Sequence, residues 1–174
     1  MRRDLFSNGS NPYGYQQPKR EQVALPSVAG VVDLLNRAKA TGLKYPKLWL
    51  QFPNGKPLRV SIAGEASRTP GFLMLTDDGK YPDNQFYGRI SPTGQLEIGR
   101  HGHDVRDALV GLLTQLAKEP AKVAADYGHL TGHCCFCGLK LKDERSSRVG
   151  YGPNCAKKYS LPWGASALQQ LVLE

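Results

Sequence analysis

All four cysteines of this 174-residue chain lie in the stretch TGHCCFCGLKLKDERSSRVGYGPNCAKKYSLPWG, at residues 131–164. Cysteines this close together suit a disulfide, a catalytic nucleophile or a metal site. Disulfides are disfavoured because three of the four fall within residues 134–137 and because no secretory signal is expected. A catalytic thiol needs a base, which His129 or His133 would supply, but that role does not explain the surrounding glycines. A metal site accounts for more of these residues.

The pattern C-x-x-C-G, formed by Cys134, Cys137 and Gly138, is typical of a zinc knuckle. In that turn two thiolates meet one ion, and the glycine permits a left-handed backbone. Pro153 and Cys155 begin a predicted helix, whose first-turn N–H groups stabilise a thiolate. The residues between the two motifs suggest a short hairpin. Knuckle, hairpin and helix-start ligand together predict a treble-clef-like module that binds Zn²⁺.

The fourth ligand is the open question, because a structural zinc site is nearly always four-coordinate. A typical treble clef offers a ligand one helical turn after Cys155, where this chain has Lys158. His129 ranks first, because it lies five positions before Cys134 and can fold back. His133 and Cys135 rank lower, since adjacent residues rarely both reach one ion, and Asp143 is a further candidate. The predicted metal ligands are Cys134, Cys137, Cys155 and His129.

The chain is basic, with 23 Lys and Arg against 15 Asp and Glu, a formal charge of +8 and a pI near 9.4. Such a balance makes nucleic acid, DNA or RNA, the first partner to consider. The expected phosphate contacts surround the knuckle and are Lys140, Lys142, Arg145, Arg148, Lys157 and Lys158. The alternative is a protein-interaction module that binds and modulates another enzyme. A metal-dependent enzyme is a third hypothesis, but the chain shows no phosphate loop or nucleophile elbow.

The elements that must position this site form an α+β arrangement. Residues 1–26 are rich in Asn, Gly, Gln and Pro, which predicts a disordered basic arm. Residues 27–128 are expected to form one domain, with a helix capped by Ser27, a five-stranded antiparallel meander and a second helix over 103–117. Asn54-Gly55 predicts a tight turn in the first hairpin. A short helical piece is expected around 122–127, and residues 129–174 form the predicted zinc module.

No apolar run approaches the length needed to span a membrane, and a cytoplasmic location is expected. The oligomeric state is not indicated by the sequence.

The knuckle and its flanks resemble a small zinc-knuckle family of phage and plasmid proteins that have no assigned function. The matching residues are Cys134, Cys137, Gly138, Leu139 or Leu141, Ser146 or Ser147, Gly150, Gly152, Pro153 and Cys155, followed by LPWG. That family usually shows three cysteines, which implies that the missing fourth ligand is a feature of the type. The β-rich segment before the knuckle is similar to the module that often precedes it there. The resemblance implies a phage-type accessory protein, with a bacterial host protein as a second kind of partner.

Overall fold

The computed structural model describes residues 20–164, which fold into a six-stranded antiparallel sheet and five α-helices. The predicted α+β class is confirmed. The strands are β1 (Gln22–Ala24), β2 (Lys47–Gln51), β3 (Pro57–Ile62), β4 (Leu73–Thr76), β5 (Phe86–Ile90) and β6 (Gln95–Ile98). The helices are α1 (Ala29–Ala40), α2 (Arg106–Lys118), α3 (Pro120–Thr131), α4 (Glu144–Val149) and α5 (Pro153–Tyr159), and a 3₁₀ turn (His103–Val105) precedes α2.

Strands β2 to β6 form the predicted meander, and each pairs with its neighbour in the chain. The turn between β2 and β3 has Gly55 at φ 82°, and the Asn54 side chain accepts a hydrogen bond from the Lys56 N–H at 3.1 Å. Local turn chemistry therefore sets this hairpin.

A sixth strand lies outside the predicted meander. β1 pairs with β6 at the edge of the sheet, with Val23 opposite Leu96. These residues fall in the segment predicted to be a disordered arm, so the prediction was wrong there. Three residues are too few to show a period of two, and their pairing depends on a strand about seventy positions away. The rest of the arm, residues 1–19, lies outside the described range.

The two faces of the sheet differ. Leu48, Leu50, Leu58 and Val60 point into a core shared with α1 and α2. The alternate residues of β2 and β3 lie on the opposite, partly exposed face and include Lys47, Trp49, Arg59 and Ser61. An antiparallel sheet with one covered face produces this alternation.

The helices follow the predicted apolar spacing with small shifts. Helix α1 buries Val31, Leu35 and Ala38, but it begins at Ala29 and not directly after Ser27. The Ser27 hydroxyl still accepts a hydrogen bond from the Ala29 N–H, at 3.3 Å. Helix α3 runs well beyond the short piece expected around 122–127 and continues across the predicted domain boundary at 128/129. None of the helices in residues 20–164 has the length and apolarity required to cross a membrane.

Residues 132–164 contain all four cysteines, and we call this segment the cysteine module. It covers the outer edge of the sheet at β2. The Trp49 N–H donates to the Cys135 carbonyl at 2.6 Å. The Tyr159 hydroxyl accepts from the Lys47 N–H at 3.0 Å and donates to the Lys47 carbonyl at 2.9 Å. These bonds pair an edge strand that would otherwise expose its backbone. One continuous core includes the buried residues of the sheet and of the cysteine module.

Candidate metal centre

Residues 134–138 form a tight turn at the end of α3. The Gly138 N–H donates to the Cys134 carbonyl at 2.9 Å, and the Cys134 N–H donates to the Leu139 carbonyl at 2.8 Å. Gly138 has φ 74°, the left-handed conformation that the C-x-x-C-G pattern predicted. Phe136 is buried below the turn and stacks on Tyr159, with ring centroids 3.9 Å apart. Leu139, in contrast, is 71% exposed.

The predicted hairpin after the knuckle is absent from the structure of residues 139–152, and that prediction was wrong. One isolated bridge joins His133 to Lys140, and the chain then forms α4. The Asp143 carboxylate caps this helix by accepting from the Arg145 N–H at 2.8 Å. Gly150 ends the helix at φ 81°. An Asp N-cap and a glycine stop are ordinary helix signals, so the sequence did contain the evidence for α4.

The third cysteine lies in the first turn of α5, as predicted. Pro153 is the first residue of that helix and Cys155 the third. The sulfurs of Cys134, Cys137 and Cys155 all lie within 4.8 Å of one another. Tetrahedral binding at metal–sulfur distances of about 2.3 Å would place sulfurs about 3.8 Å apart, which fits this spacing. The three cysteines therefore form a group that can hold a metal ion.

The electrostatics of the group favour thiolate at Cys134. Its pKa is lowered because the Cys155 thiol donates a hydrogen bond to its sulfur, and N–H groups of the knuckle backbone add to the effect. The pKa of Cys155 is raised by the same hydrogen bond and by burial. The pKa of Cys135 is raised well above its usual value, chiefly by burial. The pKa values of the neighbouring thiols Cys134 and Cys135 are therefore shifted in opposite directions, and only Cys134 belongs to the group of three cysteines.

The candidates for the fourth ligand all lie outside this group. His129 is in the last turn of α3 with an exposed side chain. His133 Nδ1 lies 2.6 Å from the Thr131 carbonyl oxygen. Asp143 is engaged by Arg145, whose hydrogen bonds lower the pKa of that carboxyl to about 2. Within residues 20–164, the structure brings three protein ligands together and not four.

Two glycines fix the position of the module, and sequence reasoning did not find this contact. Gly128 of α3 faces Gly150, so closely that a Cβ on Gly128 would lie 2.5 Å from the Gly150 Cα. A Cβ on Gly150 would lie 1.8 Å from the Ala124 carbonyl oxygen. Contact between distant segments has no local signal in one sequence. The Cys135 N–H donates to the Gly150 carbonyl at 2.9 Å, so this crossing also holds the knuckle.

The six basic residues predicted to contact phosphate are all exposed but fall into two groups. Arg145 binds Asp143 at 2.8 Å and lies over the Trp163 ring, 4.5 Å from its centroid. Arg148 forms an ion pair with Glu144. The remaining four have no ion-pair partner among residues 20–164; they are Lys140, Lys142, Lys157 and Lys158.

A second basic surface lies on the open face of the sheet beside the module, and we call it the β2–β3 face. It comprises Tyr45, Lys47, Trp49 and Arg59. Lys47 Nζ and Arg59 Cζ lie 5.3 and 5.7 Å from the centre of the Trp49 ring. Tyr45 is 75% exposed. Both Tyr45 and Lys47 line two neighbouring grooves, of about 330 Å³ towards Arg59 and about 240 Å³ towards Cys137.

Residues 124–160 match the model of a family described as a family of unknown function, DUF6011. That range begins in α3 and ends just after α5, so it covers the knuckle and all three grouped cysteines. No curated protein and no solved structure matches the chain. The chain is thus similar to this family over the cysteine module and the helix that supports it.

Proposed function

We propose that this protein binds zinc at Cys134, Cys137 and Cys155, and that it binds single-stranded nucleic acid on the adjoining β2–β3 face. Zinc fits the donor set because soft thiolates select this ion and because knuckle sites are its common setting. The ion would cross-link the segment from 132 to 164, in which two short helices are the only helices or strands.

The observation that carries the nucleic-acid proposal is the composition of the β2–β3 face. Lys47 and Arg59 have no ion-pair partner among residues 20–164, and they flank Trp49 beside the exposed ring of Tyr45. Cations next to accessible aromatic rings bind single strands, because phosphates take the charge and unstacked bases lie on the rings. Elsewhere on the same sheet face the charge is neutralised, since Arg89 pairs with Glu97 at 2.7 Å.

The surface extends onto the cysteine module. Lys158 of α5 lines the same groove as Tyr45 and Lys47, and Lys157 is its exposed neighbour. Arg145 and Arg148 contribute less to this proposal than their positions in the sequence predicted, because both are held by acidic partners. The zinc module therefore supplies one wall of the binding surface and fixes the edge strand that supplies the other.

The Tyr45→Ala variant is expected to weaken binding to a labelled homopolymeric DNA or RNA single strand about tenfold, because one base loses its stacking partner. Lys47→Ala should weaken binding and reduce the slope of log K against log salt by about 0.7, the value for one phosphate contact on a single strand. Fluorescence anisotropy on the zinc-loaded chain over a salt series measures both effects.

Lys122→Ala is the matched control, because Lys122 is exposed and already paired with Asp126 at 2.7 Å. It should leave the affinity unchanged. Zinc-loaded protein that shows no binding to single strands at low salt would contradict the proposal. Equal losses for Lys47→Ala and Lys122→Ala would show only a diffuse response to net charge.

A further inference from the structure

In the part of the chain that the structure describes, the metal group lacks a fourth histidine or cysteine ligand. All four histidines and all four cysteines of the chain lie within the described residues. Neither Cys135 nor any of the histidines joins Cys134, Cys137 and Cys155 in the group. Asp4 and Glu174 are the acidic residues of the chain outside the described range. A structural zinc site normally takes four ligands, whereas a zinc site with three protein ligands keeps one position for an external donor.

The group borders a cavity. The groove of about 240 Å³ beside the module is lined by Leu43, Tyr45, Lys47, Phe136, Cys137, Cys155, Lys158 and Tyr159. Two of the three grouped cysteines form part of this wall, and Cys137 is exposed. Cys134 is 1% exposed and is not among the residues that line the groove. A small molecule can therefore approach the group from the groove.

The charge around this cavity is positive at its rim. Three thiolates and one divalent ion carry a net charge of −1, which alone would disfavour an anion. Lys47 and Lys158 line the same cavity, and neither has an ion-pair partner among residues 20–164. With these two lysines the groove and the site together carry a net charge of +1, which favours an anionic donor.

We propose that the fourth coordination position of this site opens into the groove between Lys47 and Lys158 and takes an exchangeable external donor, preferably an anion. The inference rests on the zinc part of the proposed function and is independent of nucleic-acid binding. An open position distinguishes this module from zinc sites that only staple a fold, in which all four ligands come from the chain.

The test uses the full chain loaded with Co²⁺, whose absorption reports the ligands around the ion. Sodium azide is the anionic probe and imidazole the neutral one. We expect saturable spectral changes with both probes. Lys158→Ala should weaken azide binding roughly threefold to tenfold because one nearby charge is lost. The same substitution should leave imidazole binding unchanged.

Lys157→Ala is the matched control, since Lys157 is the exposed neighbour of Lys158 and does not line the cavity. It should bind both probes as the native protein does. A thiolate-to-cobalt spectrum that neither probe changes would overturn the inference while leaving the metal site intact. The absence of any thiolate-to-cobalt band would overturn the metal site and the inference with it. Equal azide losses in the two lysine variants would overturn the assignment of the groove.

Discussion

Replacing Cys134 by Ala is expected to lower zinc affinity more than about a hundredfold, whereas replacing the adjacent Cys135 by Ala should leave one zinc ion per chain. The contrast follows from the geometry: the Cys134 sulfur lies within 4.8 Å of two other thiols, and the Cys135 sulfur does not belong to that group. Loss of a direct ligand costs more than loss of a residue that only orients one, and the latter already costs about tenfold to a hundredfold.

Metal content after dialysis against a weak chelator, together with competition against a chromophoric chelator, measures the difference. Cys135→Ala also controls for truncating a thiol in the core, because both residues are almost fully buried, at 1% and 0% exposure. Zinc retained by Cys134→Ala and lost by Cys135→Ala would reverse the assignment. Equal loss from both would indicate that metal binding depends on the packing of the turn and not on the grouped thiols.

Replacing Gly128 by Ala is expected to reduce the free energy of unfolding by about 2–4 kcal/mol. The added methyl group would lie 2.5 Å from the Gly150 Cα, and backbone atoms cannot move aside as a flexible side chain can. Helix α3 would have to move away from α4, and the Cys135 bond to the Gly150 carbonyl would stretch. Urea denaturation of the zinc-loaded protein measures the loss.

Gly111→Ala is the matched control within another helix. Gly111 lies on the exposed side of α2, and a Cβ there would meet no atom within 4 Å. This substitution should increase stability by about 0.5–1 kcal/mol, because alanine loses less backbone entropy in a helix. A Gly128→Ala variant as stable as Gly111→Ala would show that the crossing of α3 and α4 is looser than the structure indicates.

The sheet was predictable because its signals are local. Alternating apolar residues in β2 and β3, with Asn54-Gly55 between them, specify both the strands and their turn. The grouping of Cys134, Cys137 and Cys155 was also predictable, since the knuckle and the helix start each have a short motif. Helix α4 was missed although Asp143 and Gly150 mark its ends. The polar run at residues 142–147, between two short apolar stretches, led to the expectation of a hairpin there, and it outweighed local helix signals that were correct.

The remaining features depend on contacts between distant segments. The bond between Trp49 and Cys135 places the β2–β3 face beside the cysteine group, and neither residue's neighbours in the sequence indicate it. The same holds for Gly128 and Gly150, whose close approach a single sequence cannot reveal. His129 ranked first as a ligand because its distance along the chain allowed it to fold back. Helix α3 instead continues through it and leaves its side chain exposed.

The metal group and the sheet edge are structurally linked. Tyr159, in the helix that carries Cys155, binds both backbone groups of Lys47 on β2. The carbonyl of the knuckle residue Cys135 accepts a hydrogen bond from the Trp49 N–H, which is the next N–H of that strand to point away from the sheet. Loss of zinc should therefore expose the edge of β2 and disturb the basic face beside it, which gives the ion a direct effect on the proposed binding surface.

X-ray absorption at the zinc edge tests the central claim most directly. The protein should bind one zinc ion per chain, with three sulfurs at about 2.3 Å and one lighter donor at about 2.0 Å. Three sulfurs match Cys134, Cys137 and Cys155, and the lighter donor matches a position open to the groove. Four sulfurs, two sulfurs with two nitrogens, or a folded chain without zinc would contradict this account.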